Sequence, residues 1–538
     1  MFLSSTLAEA RAKVYLKFII NFMKVLAITT RILTLPALSI SGLLLLPLLA
    51  LFVMAASTPF DDVFFHLYDH VLARYAQGSL SLILGGCLVA GLLGLSCAWL
   101  VTAYDMPGRW ALARALILPL AVPSYVLAFT FTESLGEGRL FLAPLDGFLF
   151  ERWRPWDLRH EAGASFILGL GLYPYVYLSC LVAMSMPRAA QAIEAARLIT
   201  GSPWRLFARV GLPMLRIPML VGLSLVAMEI LNDYGVASLY AVPTLTWAII
   251  DSWTAMGSLP TSFKLSCLLI LLVLPFVLLE RMARFAKGGE ASRGRGLTPK
   301  KVTSAQGWSM TLLLTIPVIA GFVLPLLVLF LLQPSFALPD GLMNSFLLAL
   351  MVGAAVVASA GLVEWWRIGQ GPWASMLGQA AMIGYAVPAA SVAMGVLALS
   401  QVSNGVVAGL FGLWLALTFR FATLGSGQLG QVMAGNLRLH DERAMLMGAG
   451  FFLRLRRILL PLLRKPAGLT LILVMVDVLK ELPATFLLRP FGFDTLATVT
   501  FTSASLENYG DAAMPALLLV LVSLLAVLLV FPRLNRRG

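Results

Sequence analysis

Long apolar runs recur along almost the whole chain and constrain its fold more than any other feature. A helix needs about 20 consecutive apolar residues to cross a bilayer, and scanning the sequence for such runs finds about twelve, separated by charged or Gly/Pro-rich stretches. The polar stretches between them are too short to hold a sizeable soluble domain. We therefore predict an all-α integral membrane protein with about twelve transmembrane helices.

Positive charge follows the pattern of membrane topology. The chain has 39 Lys and Arg against 26 Asp and Glu, a net charge of +13. The Lys and Arg concentrate in alternate loops and in the two tails. Because cytoplasmic loops carry the excess of Lys and Arg, we expect both termini to be cytoplasmic. A basic surface for nucleic acid is the alternative, but the basic residues lack interleaved aromatic residues and a soluble module. The predicted partner is the lipid bilayer, with no nucleic acid.

The sequence contains two related halves. Glu194-Ala195-Ala196 recurs 248 positions later as Glu442-Arg443-Ala444, and Pro213 recurs at the same spacing as Pro461. Both copies lie in basic segments, so each half has an even number of spans and the repeats are parallel, whereas inverted repeats would place them on opposite sides. We predict a first repeat of six helices at 1–280, a basic cytoplasmic linker at 281–307 and a second repeat of six at 308–538.

A second short motif supports the repeat. Ala121-Val122-Pro123 recurs as Ala386-Val387-Pro388, now 265 positions later. The difference from 248 fits one longer outer loop in the first half. The segments around the Glu-Ala-Ala motifs, at 187–215 and 435–463, are the predicted cytoplasmic loops.

The pattern Glu-Ala-Ala, three residues, Gly, nine residues, Ile-x-Leu-Pro resembles the coupling loop of binding-protein-dependent ABC importer permeases. The resemblance implies a type I importer permease fold whose loops form short helices that dock on an ATPase. The implied coupling residues are Glu194, Ala195, Ala196, Gly201, Pro213, Glu442, Ala444, Gly448 and Pro461. The sequence departs from the pattern at Thr200, which stands at the glycine position, and at Arg443. Nearby arginines are expected to face an acidic partner or lipid phosphates.

The chain lacks an ATPase site of its own. A phosphate-binding loop needs a Gly-Lys step, and the sequence contains no Gly-Lys dipeptide. We therefore expect no catalytic residues and no cofactor in this chain, with ATP and Mg²⁺ bound by a separate subunit. Two coupling loops on one chain predict two ATPase copies.

Two segments carry the resemblance that concerns the cargo. Lys480-Glu481-Leu482-Pro483-Ala484-Thr485 and Asn232-Asp233-Tyr234-Gly235 are similar to segments of the ferric iron permeases within this superfamily. The resemblance implies a multi-pass protein of the bacterial inner membrane that receives ferric iron from a periplasmic ferric-binding protein. Thiamine and phosphonate permeases share the architecture, so thiamine or another small solute is the alternative cargo.

Four carboxylates give a physical argument for a cationic cargo. Glu229 and Asp233 recur 248 positions later as Asp477 and Glu481, and we expect each pair to lie on one helix face at i and i+4. A charged side chain at the centre of a span costs about 2.5–3.5 kcal/mol, and hard cations prefer oxygen ligands. These four residues are the candidate pathway.

Transient Fe(III) contact is expected at Asp233 and Glu481, with no tight metal site, because a conduit must release its ion. Such a lining would repel sulfate or phosphonate. The alternative is structural, with the acids paired to Lys480, Arg489 or Arg420.

Two other functional classes compete with an ABC permease. An ion-gradient-driven transporter also uses intramembrane carboxylates, as proton relays. A polytopic membrane enzyme needs a catalytic constellation, and the four histidines are scattered singly, apart from a weak i, i+4 pair, His66 and His70.

Overall fold

The computed structural model describes residues 34–135, 158–285, 297–332, 338–367 and 372–530. Both basic tails, most of the long outer loop of the first half and the centre of the predicted linker lie outside these described residues. Below, residues up to 285 are called the N-terminal half and residues from 297 onwards the C-terminal half.

Long apolar helices dominate the architecture. Ten helices in the described ranges are long and apolar enough to cross a membrane. They are α1 (Thr34–Ser57), α3 (Leu72–Ala103), α6 (Glu161–Met184), α8 (Pro203–Asn232), α11 (Leu259–Phe285), α12 (Ser304–Leu332), α13 (Leu342–Arg367), α16 (Gly409–Val432), α18 (Phe451–Lys480) and α21 (Tyr509–Val530).

Shorter helices lie between the long ones. They are α2 (Asp62–His70), α4 (Arg109–Ala115), α5 (Ser124–Leu135), α7 (Pro187–Ile199), α9 (Gly235–Leu239), α10 (Leu245–Thr254), α14 (Pro372–Ala381), α15 (Ala389–Val402), α17 (Arg438–Leu446), α19 (Pro483–Leu488) and α20 (Leu496–Ser505). A two-residue parallel pairing joins β1 (Tyr104–Asp105) to β2 (Lys300–Lys301).

The predicted all-α membrane class is confirmed. The number of spans, predicted as about twelve, depends on whether a pair of short helices that meet at a bend is counted as one span. The region Arg109–Ala121 and α5 together satisfy the length and hydropathy criteria for a span but bend by 95°, so the described residues contain ten or eleven spans. Pro119 and Pro123 lie at this bend, where proline interrupts helical hydrogen bonding. The matching region of the C-terminal half, α14 and α15, is likewise broken, around Pro388.

Side-chain size separates the lipid-facing surface from the helix contacts. Leu84, Leu88 and Leu92 of α3 follow one another at a spacing of four and are each 63% exposed, which places an apolar stripe toward lipid. On another face of α3, a Cβ added at Gly94 would lie 2.6 Å from the Cβ of Val176 in α6. Small residues thus allow the helix backbones to approach closely, as is common in membranes.

Helix bounds repeat at the spacing seen in the sequence. In α8, four α-helical residues from Pro203 precede a π-helical turn at Phe207–Gly211. In α18, the corresponding α-helical residues start at Phe451 and the π-helical turn spans Leu455–Leu459, so each element is displaced by 248 positions. Within each half, three long helices pack together: α3, α6 and α8 in the N-terminal half, and α13, α16 and α18 in the C-terminal half.

The first helix of each half packs against the other half. Gly395 in α15 lies against Pro47 of α1, and Gly321 in α12 lies against Pro119 ahead of α5. The last long helices also cross, since α11 packs on α15 and α21 packs on the Leu118–Ala121 turn. The two halves therefore interlock.

Candidate functional site

All four predicted pathway carboxylates line one cavity between the halves. The cavity has a volume of about 160 Å³ and is lined by Glu229, Asp233, Asp477 and Glu481. Residues of α6, the start of α5, the middle of α16 and the C-terminal ends of α8 and α18 contribute to its wall. The two copies of the acidic segment thus meet in one place, where a solute passing between the halves would contact both.

The expected i, i+4 arrangement on one helix face is wrong for the second acid of each pair. Helix α8 ends at Asn232 and α18 ends at Lys480, so Asp233 and Glu481 are the first residues beyond the helices and have extended backbone. The chain turns there because each of these carboxylates accepts hydrogen bonds from the next short helix. Glu229 and Asp477 remain within their helices.

Asp233 and Glu481 perform equivalent local tasks. Asp233 accepts hydrogen bonds from the Val236 amide, at 2.8 Å, and from the Ser124 hydroxyl. Glu481 accepts from the Ala484 amide at 2.8 Å, and from the amide and hydroxyl of Thr485 at 2.9 and 2.6 Å. Each acid thereby fixes the first turn of α9 or α19. Since a carboxylate offers about four acceptor positions, both keep capacity for a further contact.

The other two acids meet different partners. The Tyr385 hydroxyl donates to Glu229 across the boundary between the halves. The Asp477 carboxylate lies 3.3 Å from the Lys480 ammonium. Of the pairings that the structural alternative proposed, this ion pair is present, whereas Arg489 pairs with Asp494.

Arg420 brings a second positive charge to the cavity wall. Its side chain is buried, donates to the Asn232 side chain at 3.1 Å and to the Val387 carbonyl at 3.2 Å, and lies over the Tyr385 ring. Asn232 also accepts from the Ala389 amide at 2.7 Å. These contacts join α8 to the C-terminal half. The cavity therefore carries four acids and two cationic side chains.

Sequence reasoning missed four polar residues of this cavity, namely Ser124, Tyr125, Tyr175 and Tyr385. A sequence signal was available for three of them, because Ser124 and Tyr125 directly follow the first Ala-Val-Pro motif and Tyr385 directly precedes the second. The motif served only to define the repeat. Residues that flank a repeated break in a membrane helix are candidates for a pathway, since irregular backbone at that depth lines cavities.

The two predicted coupling segments form short helices outside the spans. Glu194, Ala195 and Ala196 lie on α7, and Glu442, Arg443 and Ala444 lie on α17. Pro213 and Pro461 each follow a π-helical turn, where a wider turn accommodates the missing proline N–H.

Large apolar side chains project from both segments. Leu198 is 91% exposed and Ile199 87%, while Met447 and Phe452 in the other segment are 83% and 82% exposed. Exposed apolar residues in a polar loop are typical of a protein contact surface.

The two segments leave their helices by different turns. Gly448 has a φ of 81°, the left-handed conformation that ends many helices at glycine. In the N-terminal half, Thr200 is extended, with φ of −103° and ψ of 104°, and Gly201 is not left-handed. The departure from the motif at Thr200 therefore coincides with a different backbone path.

The helices of the two predicted coupling segments, α7 and α17, are also anchored differently. Glu194 accepts hydrogen bonds from the amide of Thr298, at 3.1 Å, and from its hydroxyl, while Arg197 donates to the Thr298 carbonyl at 2.6 Å. The described end of the linker thus holds α7. In the C-terminal half, Asp441 on α17 pairs with the fully buried Arg454 of α18 at 2.7 Å. Burial raises the pKa of Asp441 even though Arg454 opposes the shift.

Within the described ranges, no group of three or more His, Cys, Asp or Glu side chains has a geometry that could hold a metal ion.

Several transport-system permeases are similar to this chain. The sulfate transport system permease protein CysW of Escherichia coli is 28% identical over 202 residues, which cover 36% of this chain and 65% of that relative. CysT of the same organism is 27% identical over 221 residues, 38% of this chain and 72% of the relative. The putative 2-aminoethylphosphonate transport system permease protein PhnV of Salmonella typhimurium is 30% identical over 146 residues, 27% of this chain and 54% of the relative.

The matched part of CysW is less than two thirds of its length. No family model matches the chain, and no solved structure matches it significantly. The relatives are permease proteins of sulfate and 2-aminoethylphosphonate transport systems, and their similarity supports the assignment of this chain to the ABC importer permeases.

Proposed function

We propose that this chain is the membrane-spanning permease of an ATP-binding-cassette importer and that its cargo is ferric iron. Two copies of a separate ATPase, which bind ATP and Mg²⁺, dock on α7 and α17, and a periplasmic ferric-binding protein delivers the ion. The observation that carries the proposal is the convergence of Glu229, Asp233, Asp477 and Glu481 on one cavity.

The chemistry of the lining supports a hard cation. Carboxylate oxygens are the ligands that hard cations prefer over sulfur and imidazole. Their excess over the two cationic side chains leaves the cavity with a formal charge that attracts cations. Because each acid already has a protein partner, its contact with an ion is weak, which suits release from a conduit.

Helix continuity supports the route from ATPase to cavity. Helix α8 runs for 30 residues from the exit of the first coupling segment to Asn232, and α18 runs for 30 residues from the exit of the second to Lys480. At 1.5 Å per residue each helix is about 45 Å long. If an ATPase displaced α7 or α17, the attached helix α8 or α18 would move as a rigid element. The pair of acids at the end of that helix would then move relative to the other pair.

An oxyanion is the second candidate cargo. Arg420 and Lys480 both line the cavity, and guanidinium and ammonium groups are the usual partners of sulfate and phosphonate oxygens. The names of the relatives, which refer to sulfate and 2-aminoethylphosphonate, agree with this candidate. Thiamine, as a cation, fits the acids of the first proposal.

The test is ATP-dependent uptake into proteoliposomes that hold the permease, its cognate ATPase and its binding protein. Radioactive ferric iron, sulfate and 2-aminoethylphosphonate are compared for the wild type, for the double variant Glu229→Gln/Asp477→Asn and for Asp251→Asn. Asp251 is a half-buried acid of α10 that is not among the cavity-lining residues, so it is the matched control.

We expect iron uptake by the wild type and the control, and a loss of at least about tenfold in the double variant with ATP hydrolysis retained, because two of four charges are removed. Uptake of an oxyanion without iron uptake would select the second candidate. Uptake that continues without ATP and stops with an uncoupler would instead indicate an ion-gradient-driven transporter.

A further inference from the structure

Tyr125 is a buried residue of the cavity wall whose hydroxyl lacks a hydrogen-bond partner among the described residues. It is the second residue of α5, directly after the bend at Pro123, and only 3% of the residue is exposed. Leaving a buried hydroxyl unpaired is costly, so such a group calls for a partner.

The surroundings of Tyr125 indicate what that partner is. The phenol interacts electrostatically with both Glu481 and Asp233, which come from opposite halves of the chain. Its neighbour Ser124 already donates to Asp233. Tyr125 and these two acids thus belong to one cavity wall, and a phenol oxygen and carboxylates are oxygen ligands of the kind that hard cations prefer.

Packing fixes the position of the Tyr125 ring. A Cβ added at Gly235 would lie 2.6 Å from the Cβ of Tyr125, so the start of α9 touches the base of this side chain. The ring of Phe501 packs edge-on at 6.5 Å between centroids. The hydroxyl is therefore held in place before any solute arrives, which lowers the entropy lost on binding.

A second tyrosine among the described residues also has a buried, unpaired hydroxyl. This residue, Tyr173 in α6, is fully buried, but it is not among the residues that line the cavity. What distinguishes Tyr125 is that it belongs to the same cavity wall as Asp233 and Glu481. The position 265 residues later, which corresponds to Tyr125 in the repeat, is Ala390, so the C-terminal half supplies no matching phenol there.

We propose that Tyr125 is a specificity-determining residue whose hydroxyl oxygen, with the carboxylates of Asp233 and Glu481, contacts a hard cationic cargo in the cavity. This inference rests on the proposed function and deepens it. Because Ala390 replaces the phenol in the other half, the contact lies off the symmetry axis, toward the N-terminal half.

The test compares Tyr125→Phe with Tyr173→Phe. Each substitution removes one unpaired buried hydroxyl and keeps the ring, so both variants should fold, and Tyr173→Phe controls for the effect of removing such a group. Binding of Tb³⁺, a hard trivalent cation, to the purified full-length permease is measured by equilibrium dialysis, which does not depend on energy transfer from tyrosine. ATP-dependent ferric iron uptake is measured in parallel in proteoliposomes with the ATPase and binding protein.

We expect Tyr125→Phe to weaken Tb³⁺ binding about tenfold and to reduce iron uptake, with Tyr173→Phe at the wild-type level in both assays. Unchanged Tb³⁺ binding in Tyr125→Phe, or an equal loss in both variants, would overturn the role of Tyr125. If the wild type transports no iron but Tyr125→Phe still selectively weakens Tb³⁺ binding, the cation contact stands and the assignment of iron as cargo fails.

Discussion

Substitution of Lys480 by methionine should reveal the charge of the cargo through the sign of its effect. The Lys480 ammonium lies 3.3 Å from Asp477 and lines the cavity with the other three acids. A bound cation must compete with this ammonium for Asp477, whereas an oxyanion would be attracted by it. Lys480→Met keeps a long unbranched side chain and removes the charge.

The size of the effect follows from the contact. Unit charges about 4 Å apart interact by about 1 kcal/mol in water and about 4 kcal/mol in a protein-surface environment. Because the side chains of Lys480 and Asp477 are 24% and 30% exposed, solvent screening favours the lower value. About 1 kcal/mol corresponds to about a fivefold change in affinity, and a multivalent cargo would increase it.

The assay is the concentration dependence of ATP-driven uptake in proteoliposomes. For ferric iron, Lys480→Met should lower KM at least about fivefold and also lower the maximal rate, because a more tightly held ion leaves more slowly. Lys480→Arg, which keeps the charge, is the control. A higher KM for iron in Lys480→Met would refute the competition between lysine and cargo, and a higher KM for sulfate would support the oxyanion candidate.

Three further predictions concern parts of the chain away from the cavity. Glu194→Gln with Glu442→Gln should leave the purified permease folded but reduce ATP hydrolysis by the bound ATPase and uptake together; unchanged uptake would refute ATPase docking at α7 and α17. Arg454→Met leaves Asp441 unpaired beside α18 and should destabilise the permease by about 3–5 kcal/mol, measured as a lower thermal unfolding temperature, whereas an unchanged temperature would mean that the pair is dispensable. Arg159 pairs with Glu507 at 2.9 Å and joins the two halves. Arg159→Glu should therefore raise ATP hydrolysis in the absence of binding protein, and the exchange Arg159→Glu/Glu507→Arg should return hydrolysis to the wild-type level.

The membrane class was predictable because it depends on composition averaged over long windows. Lipid admits only structures that satisfy their own backbone hydrogen bonds, so runs of about 20 apolar residues become helices almost regardless of detail. The spacing of 248 was also visible in the sequence and reappears in the bounds of α8 and α18. The division into two repeats and the coupling role of α7 and α17 remain predictions.

The geometry of the acids was less predictable because it depends on local competition. Continuing α8 through Asp233 would have extended the helix by one more residue, but it would have left the amides at the start of α9 without the Asp233 oxygen. Helix α18 ends before Glu481 for the same reason, because the Glu481 carboxylate accepts a hydrogen bond from the Ala484 amide of the next helix. Such capping contacts depend on where the chain goes next, which the period of apolar residues does not reveal.

The cavity combines acids at corresponding positions of the two halves with cationic side chains that each occur once. Glu229 and Asp233 have acidic counterparts 248 positions later, but the counterpart of Asn232 is Lys480. Likewise, Arg420 corresponds to Leu172, and all of these residues line the cavity. In a pair of identical chains every cation would appear twice and cancel the acids, whereas one fused chain can keep four acids and place each cation once. The negative formal charge of the cavity thus depends on different residues at the corresponding cationic positions of the two halves and on acids at the corresponding acidic positions.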